Sequence, residues 1–216
     1  MNEAPVFPPV VAAALDGWSL WWADLACETE DPAVTRALRA AAERGARSAL
    51  SLDRLAEHPA AAAVRRLFRR AGCDPTRYRP SSEALLRRVL KGEPLPAIHP
   101  LVDVNNALSV ELAVPACVVD AARVAPPFTL RAGRAGESML SMRGPFDLEG
   151  KPLLEDAGGP FGTPITDSER VKVTAATRRA WLVAYLPEDV VTSAQARDSL
   201  ARLAGAAAGV SLVTAL

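Results

Sequence analysis

Apolar positions at helical spacing stand out most clearly between Ser81 and Lys91. They form one stripe there, at Ala84, Leu85, Leu86, Val89 and Leu90. Ser81 or Ser82 can accept from the free N–H groups of a first turn, and Gly92 is typical of the residue that follows a helix. The pattern predicts a helix that begins just after Pro80 and ends at Gly92.

A proline-rich connector follows this helix and leads to a short apolar run, residues 101–106. The run ends in Asn105 and Asn106, and we expect a strand in which the two amides point to opposite faces. One amide would then face the interior, where an unpaired amide costs about 1–3 kcal/mol. That amide must bond either the backbone or a ligand, and the sequence leaves both interpretations open.

The same stretch carries a resemblance to a known family. It resembles the B3/B4 domain of the β subunit of bacterial phenylalanyl-tRNA synthetase in the order RPSSEALLRRVLKG, then PLVDVNN and LS. It is closer still to free-standing proteins that consist of little more than that domain. In the synthetase the domain houses an editing site that hydrolyses tyrosine mischarged on the phenylalanine tRNA. The resemblance implies a tRNA-linked role and a B3/B4-type α+β fold, with a central mixed or antiparallel sheet wrapped by helices.

Apolar patterns elsewhere favour the same α+β class, because strands are grouped centrally and helices lie at both ends. We expect strands at residues 5–11, 110–115, 116–120, 128–132, 151–156, 179–186 and 210–216, and a late helix at 187–208. The 216 residues are expected to form a single domain. Its B3/B4-like core would span about 75–190, with N-terminal helices in residues 12–71 packed on that core.

Trp18, Trp21 and Trp22 lie close together in the first of these expected helices. An exposed tryptophan cluster can stack on nucleic-acid bases. A cluster of this kind also suits a core or a subunit contact. A homo-oligomer formed through a tryptophan-rich N-terminal helix is therefore one of the interpretations that the sequence leaves open.

Charge bears directly on nucleic-acid binding. The chain has 25 Lys and Arg and 25 Asp and Glu, and its formal net charge of zero argues against strong nonspecific binding to a phosphate backbone. Positive charge is nevertheless concentrated in residues 65–91. If the protein contacts an RNA backbone, we expect the contacts from Arg65, Arg66, Arg69, Arg70, Arg87 and Arg88. Arginines on an alanine-rich helix can also serve solubility alone.

Cysteine and histidine are too sparse for a structural metal site or a disulfide framework. Cys27, Cys73 and Cys117 are far apart, and the chain has only two histidines. We expect no metal and no cofactor. The N-terminus lacks the pattern of a secretory signal, and no run of about 18 apolar residues is present, so we expect a cytoplasmic protein without membrane contact.

A glycine-rich segment, residues 157–164, is the first candidate for a ligand site. Its glycines permit a ligand to approach the backbone closely, although the segment is neither a GxGxxG nor a Walker sequence. Free-standing B3/B4 proteins have a segment similar to GPFGTPITDSERVKVT, which implies that it borders the domain's cavity. We expect ligand contacts from Asn105, Asn106, Gly159, Phe161, Gly162, Thr163 and Thr174. A tight turn that only joins two strands is the alternative.

Polar side chains just after this segment are the candidates for catalysis, namely Thr166, Asp167, Ser168 and Arg170. Such groups can hold an ester and a water, and Arg170 can bind a carboxylate or phosphate bidentately. Asp167 and Ser168 can equally cap a turn. The catalytic residues are therefore unknown, with these four as candidates.

The chain departs from the synthetase at the known editing groups. Cys117 stands where the synthetase has a histidine, and residues 181–185 lack the glutamate that follows its glycine segment. Whether the protein is an enzyme, as an aminoacyl-tRNA deacylase or ester hydrolase, is left open. We expect a tRNA-binding protein that can hydrolyse misacylated aminoacyl-tRNA in trans. The alternative is a non-catalytic module that binds a free amino acid or similar small ligand in the same cavity.

Overall fold

A computed structural model describes residues 15–215, and the predicted strand at residues 5–11 lies outside the described residues. The helices are α1 (Arg36–Ala49), α2 (Pro59–Arg70), α3 (Ser81–Leu90), α4 (Pro100–Leu112) and α5 (Ser193–Gly205). The strands are β1 (Trp18–Cys27), β2 (Ala116–Asp120), β3 (Thr129–Ala132), β4 (Ser138–Ser141), β5 (Gly144–Asp147), β6 (Pro152–Asp156), β7 (Gly159–Gly162), β8 (Arg179–Pro187) and β9 (Val210–Ala215). None of the described helices has the length and apolar character needed to cross a membrane.

A four-stranded antiparallel sheet forms the centre of the fold, in the order β2-β8-β1-β9. Strand β8 pairs with β1 on one side, where Val183 faces Trp22, and with β2 on the other, where Val183 faces Cys117. A three-stranded antiparallel sheet, β3-β6-β7, and the hairpin β4-β5 complete the strands. The predicted α+β class is confirmed, and the central sheet is antiparallel.

The central sheet separates two apolar cores, because successive side chains of a strand point to opposite faces. Leu182 and Ala184 of β8 pack with α1, α3, α4 and α5 on one face. Trp181 and Val183 pack on the other face, against α2 and the small sheet that carries Phe161. The candidate ligand residues are therefore divided between two sides of one sheet.

The tryptophan-rich segment is strand β1, so the predicted N-terminal helix is wrong at these residues. Trp18, Trp21 and Trp22 are only 5%, 2% and 6% exposed. Trp21 lies in the core on the helical side, and Trp22 lies in the other core, beside Phe128. These side chains fill the interior of the chain and offer no surface for stacking on bases.

The apolar run at residues 101–106 is also not a strand, because it lies within helix α4. His99 caps the helix through Nδ1, which accepts from the Leu101 N–H at 3.2 Å, and Pro100 occupies the first helical position. Most of α4 is buried on all sides, which removes the amphipathic period that marks a surface helix. Helix α4 ends at Leu112, and the next residue, Ala113, has a φ of 55°. The predicted strand at 110–115 is likewise wrong.

Helix α3 is confirmed between Pro80 and Gly92, which adopts a φ of 88°. Neither serine caps it, since Ser82 Oγ instead donates to the Ala113 carbonyl at 3.4 Å. The last helix begins later than predicted, because β8 extends through Pro187. Thr192 and Gln195 form a capping box there that fixes the start of α5.

Candidate functional site

The predicted glycine loop is a hairpin that joins β6 to β7. Gly159 has a φ of 100°, a conformation that favours glycine. A Cβ at Gly158 would lie 3.0 Å from Arg170 Nη1 and 3.3 Å from Asp156 Oδ1, so a side chain there would displace the Arg170 guanidinium. The Gly158 N–H donates to Asp156 Oδ1 at 2.8 Å. The glycines thus permit a tight turn around the side chains of Asp156 and Arg170.

Arg170 uses its guanidinium to hold this hairpin together. Its Nη2 donates to Asp156 Oδ1 at 2.7 Å and its Nη1 donates to Asp156 Oδ2 at 3.3 Å. The same two nitrogens also donate to the carbonyls of Arg123, at 3.0 Å, and Gly159, at 3.2 Å. The bidentate capacity predicted for a ligand is therefore occupied by the chain's own carboxylate.

The hydroxyl groups near the hairpin are also engaged within the chain. Thr163 Oγ1 accepts from the Thr166 N–H at 2.9 Å and donates to the Thr166 carbonyl at 2.7 Å. Ser168 Oγ accepts from the Arg170 N–H and donates to the Leu140 carbonyl, both at 3.2 Å. Thr174 Oγ1 lies 3.4 Å from Thr177 Oγ1. These contacts fix turns, which is the alternative role that the sequence allowed.

Three polar side chains meet under Gly162, where the hairpin covers the central sheet. The position that a Cβ of Gly162 would occupy lies 3.3 Å from Asp167 Oδ1, 3.4 Å from Tyr185 Oη and 3.7 Å from Cys117 Sγ. Cys117 Sγ and Tyr185 Oη are 4.0 Å apart. Sheet register brings them together, because Cys117 on β2 and Tyr185 on β8 project from the same face. We call Cys117, Asp167 and Tyr185 the buried triad.

Burial controls the chemistry of the buried triad. It raises the pKa of the Asp167 carboxyl to about 8, so this group is largely neutral at pH 7. Burial, with the nearby Asp167, also raises the pKa of the Cys117 thiol, and burial raises the pKa of the Tyr185 hydroxyl. Cys117 therefore lacks thiolate character and is no nucleophile in this state.

Among the residues predicted to be catalytic, Asp167 has the most unusual environment, because one of its carboxyl oxygens is buried without a hydrogen-bond partner among residues 15–215. The residue as a whole is partly exposed, but its Oδ1 is buried and has no hydrogen-bond partner among residues 15–215. A neutral carboxyl with a free oxygen can donate or accept a proton. Sequence reasoning selected Asp167 and noted Cys117, but it missed Tyr185, whose position depends on strand register.

Asn105 and Asn106 do not join this cluster. They lie on α4, on the opposite side of the central sheet from Phe161, which is wholly buried. Asn105 Nδ2 donates to the Ala116 carbonyl at 3.4 Å, so this amide has the backbone partner that the sequence allowed. Its Oδ1 has no partner among the described residues. The seven predicted ligand residues are thus not assembled into one pocket.

A surface hollow of about 580 Å³ lies elsewhere, beside α2 and the end of β8. Its walls include Gly17 and Leu67, with charged residues of both signs, namely Arg66, Arg70, Asp16, Glu188 and Asp189. None of the predicted ligand residues lines it. Within the described residues, no group of three or more His, Cys, Asp or Glu side chains is arranged to hold a metal ion.

Positive charge is segregated along the chain. Residues 65–91, which we call the basic segment, contain nine Arg and Lys against two Asp and Glu, a formal charge of +7. Since the whole chain is neutral, the rest carries −7. The basic segment forms α2, α3 and their connection. All six arginines predicted to meet RNA lie in it.

The predicted arginines differ in how they are paired. Arg66 and Arg69 form no ion pair with any other residue of the described chain, and Arg70 lies 4.0 Å from Asp16. Arg88 pairs with Glu93 at 3.2 Å. The remaining two, Arg65 and Arg87, both contact Glu83, as does Arg79.

The sequence analysis counted Arg79 within the basic residues 65–91, but it did not group Arg79 with Glu83. The signal in the sequence was the spacing of Glu83 and Arg87, four residues apart, which brings two side chains together on a helix. The start of α3 also contacts the glycine-rich segment, because the Ser81 N–H donates to the Pro164 carbonyl at 2.9 Å. The basic segment and the hairpin are therefore neighbours.

Comparison with known families places this region of the chain within one domain family. A family model described as "B3/4 domain" matches residues 63–202, which is more than half of the chain. The chain belongs to the B3/4 domain family. This confirms the family predicted from residues 80–109, and the match includes both the basic segment and the buried triad.

Among solved structures, this B3/4 protein is similar to an N-terminal fragment of the phenylalanyl-tRNA synthetase β subunit from Pyrococcus horikoshii. The identity is 17% and the TM-score is 0.43. The match covers 51% of this chain and 40% of that fragment, so the B3/4 protein spans well under half the length of its solved relative. No curated protein matches the chain.

Proposed function

We propose that this B3/4 protein binds tRNA through its basic segment. The segregation of charge carries the proposal, since +7 is concentrated on two neighbouring helices of an otherwise acidic chain. Guanidinium groups bind phosphate through paired N–H donors, and each phosphate contact releases counterions. Arg66 and Arg69 are exposed and form no ion pair within the described chain. The choice of tRNA rests on the resemblance of residues 80–109 to the synthetase domain.

The proposal is tested by removing two charges from this segment and, separately, two from elsewhere. Arg66→Ala/Arg69→Ala is expected to weaken binding of labelled tRNA and to reduce the slope of log affinity against log salt by about 2. The matched control is Arg54→Ala/Arg197→Ala, which removes two exposed arginines outside the segment. Equal effects of the two double variants, or no tRNA binding by the wild type at about 50 mM salt, would overturn the proposal.

Asp167 favours a second function, the hydrolysis of misacylated aminoacyl-tRNA in trans. Its carboxyl is kept neutral by burial, and one oxygen has no partner in the described chain, as a general acid requires. The test is a panel of correctly and wrongly charged tRNAs incubated with the full chain. Selective release that Asp167→Asn abolishes, in a variant that melts no lower than the wild type, is the expected result. Release no faster than the spontaneous rate would rule this function out and leave binding alone.

A further inference from the structure

We propose that Glu83 assembles Arg65, Arg79 and Arg87 into one site for a single phosphate group of an RNA backbone. The inference rests on the proposed tRNA binding, and it specifies which residues of the basic segment bind a phosphate of the RNA. Glu83 is a positioning residue here, because its own charge repels phosphate. The three arginines make the contact.

The geometry places three guanidinium groups around one buried carboxylate. Glu83 is 3% exposed. Its Oε2 accepts from Arg65 Nη1 at 2.8 Å, and its Oε1 accepts from Arg87 Nε at 3.2 Å. Arg79 Nε lies 3.6 Å from the same Oε1. The arginines come from α2, from the connection, and from α3, so Glu83 joins three separate parts of the basic segment.

The charges in this cluster do not balance. Three arginines and one carboxylate leave a formal charge of +2, and none of the three has another acidic partner in the described chain. Elsewhere among residues 15–215, a carboxylate pairs with one basic side chain, as Asp24 does with Arg179 and Asp103 with Arg39. Glu83 is the exception, because it pairs with three. A bound anion would neutralise the excess positive charge of the cluster.

The arginines retain donors for such an anion. A guanidinium has five N–H donors, and Glu83 takes only one donor group from each of Arg65 and Arg87. The side chains of Arg79 and Arg87 are 44% and 36% exposed and that of Arg65 is 18% exposed, so a ligand can reach the cluster from solvent. Glu83 lies in the first turn of α3, whose N-terminus adds partial positive charge.

Glu83 contributes by fixing long side chains before the ligand arrives. Free arginines lose rotamer entropy when they bind, and a carboxylate that already orders them removes part of that cost. This mechanism and simple charge counting make opposite predictions for Glu83→Gln. Loss of a negative charge by itself strengthens RNA binding. Loss of the assembled site weakens it.

The test measures tRNA affinity of the full chain at fixed salt. Glu83→Gln is expected to weaken binding about tenfold, because the arginines that Glu83 orders lose part of that order before the ligand arrives. The control Glu57→Gln removes a carboxylate from the exposed pair with Arg54, outside the segment, and is expected to bind at least as tightly as the wild type. Glu83→Gln binding as tightly as Glu57→Gln would overturn the inference.

A second pair of variants covers the case in which Glu83→Gln does not fold. Arg79→Lys/Arg87→Lys keeps the charge but removes the forked donors, and is expected to weaken binding about fivefold. Arg54→Lys/Arg197→Lys is its control, with affinity unchanged. If the wild type binds tRNA and the Arg79→Lys/Arg87→Lys protein binds it equally well, the proposed tRNA binding is supported and the proposed phosphate site is refuted.

Titration with inorganic phosphate separates a backbone site from a site for a free anion. The NMR signals of the Arg65, Arg79 and Arg87 side-chain N–H groups are expected to shift only slightly at millimolar phosphate. With tRNA they are expected to shift to saturation. Saturation by phosphate in a protein that binds no tRNA would contradict both the RNA ligand and the proposed function. Shifts with tRNA at Arg66 and Arg69 alone would contradict only the site at Glu83.

Discussion

Arg170 and Asp156 form a bidentate ion pair across the base of the glycine hairpin, with N–O distances of 2.7 and 3.3 Å. The Asp156 side chain is only 1% exposed, whereas that of Arg170 is 36% exposed. Asp156 also accepts from the N–H groups of Ala125 and Gly158. The pair therefore joins the β6–β7 turn to the connection after β2, and Arg170 serves the fold of the candidate site.

Arg170→Ala is accordingly expected to destabilise the protein. It leaves a buried carboxylate without its cation, and we expect a loss of about 2 kcal/mol, below the range for fully buried pairs because Arg170 is partly exposed. Lys172→Ala is the neighbouring control, since Lys172 forms only an exposed pair with Glu169, and it should cost less than about 0.5 kcal/mol. Denaturant unfolding measures both. Equal stability of the two variants would contradict the role given to Arg170.

Gly162→Ala and Gly45→Ala should change stability in opposite directions. A Cβ at Gly162 would lie 3.3 Å from Asp167 Oδ1, which is closer than an ordinary contact, and would touch Tyr185 and Cys117, so we expect a loss of about 1 kcal/mol. Gly45 lies within α1 with nothing within 4 Å of its Cβ position, so alanine there should stabilise by about 0.5–1 kcal/mol. Thermal melting curves of the two variants, compared with that of the wild type, measure both changes in stability. A tolerated Gly162→Ala would mean that the triad is loosely packed.

Asp167 should make the folded state less stable as the pH rises. Burial raises the pKa of its carboxyl from 3.8 to about 8, so the folded chain retains a proton that the unfolded chain has lost. The stability from this group is thus present below about pH 4 and is lost as the pH approaches 8. The free energy of unfolding of Asp167→Asn should fall less over this range than that of the wild type. Both proteins share the histidines, and parallel profiles would refute the assignment.

Cys117 should be inert toward thiol reagents in the folded protein. The residue is 1% exposed, and burial raises the pKa of its thiol. In a Cys27→Ser/Cys73→Ser background, labelling of Cys117 at pH 8 should require unfolding and should speed up with denaturant. Immediate stoichiometric labelling without denaturant would show that the thiol is accessible, and would reopen a nucleophilic role.

Sequence patterns predicted the elements whose signals are local. The α3 stripe, bounded by Pro80 and Gly92, marks a helix with one buried face. The apolar run of β8 was also correct within a residue. Residues 100–112 were misjudged because α4 is surrounded by the core, and its polar and apolar residues are buried alike, so no exposed face gives the period that separates helix from strand. Strand β1 was missed because its partners, β8 and β9, are more than 150 residues away.

The candidate site was predictable in its parts and not in its assembly. Asp167 and Cys117 were noticed separately, but only the register of β2 against β8 brings Tyr185 beside them. Asn105 was grouped with Phe161, and the central sheet separates them. For the cluster at Glu83, part of the arrangement could be seen in the sequence. Its spacing was visible in the sequence, but the contribution of Arg65 from α2 depends on helix packing.

The salt dependence of tRNA binding by the wild-type protein tests the central claim most directly. If four or five arginines of the basic segment contact phosphates, the affinity should fall about 10²-fold between about 50 and 200 mM salt. The expected result is a linear plot of log affinity against log salt with a slope of about −4. Affinity that does not change with salt, or no binding at the lowest salt, would contradict the account.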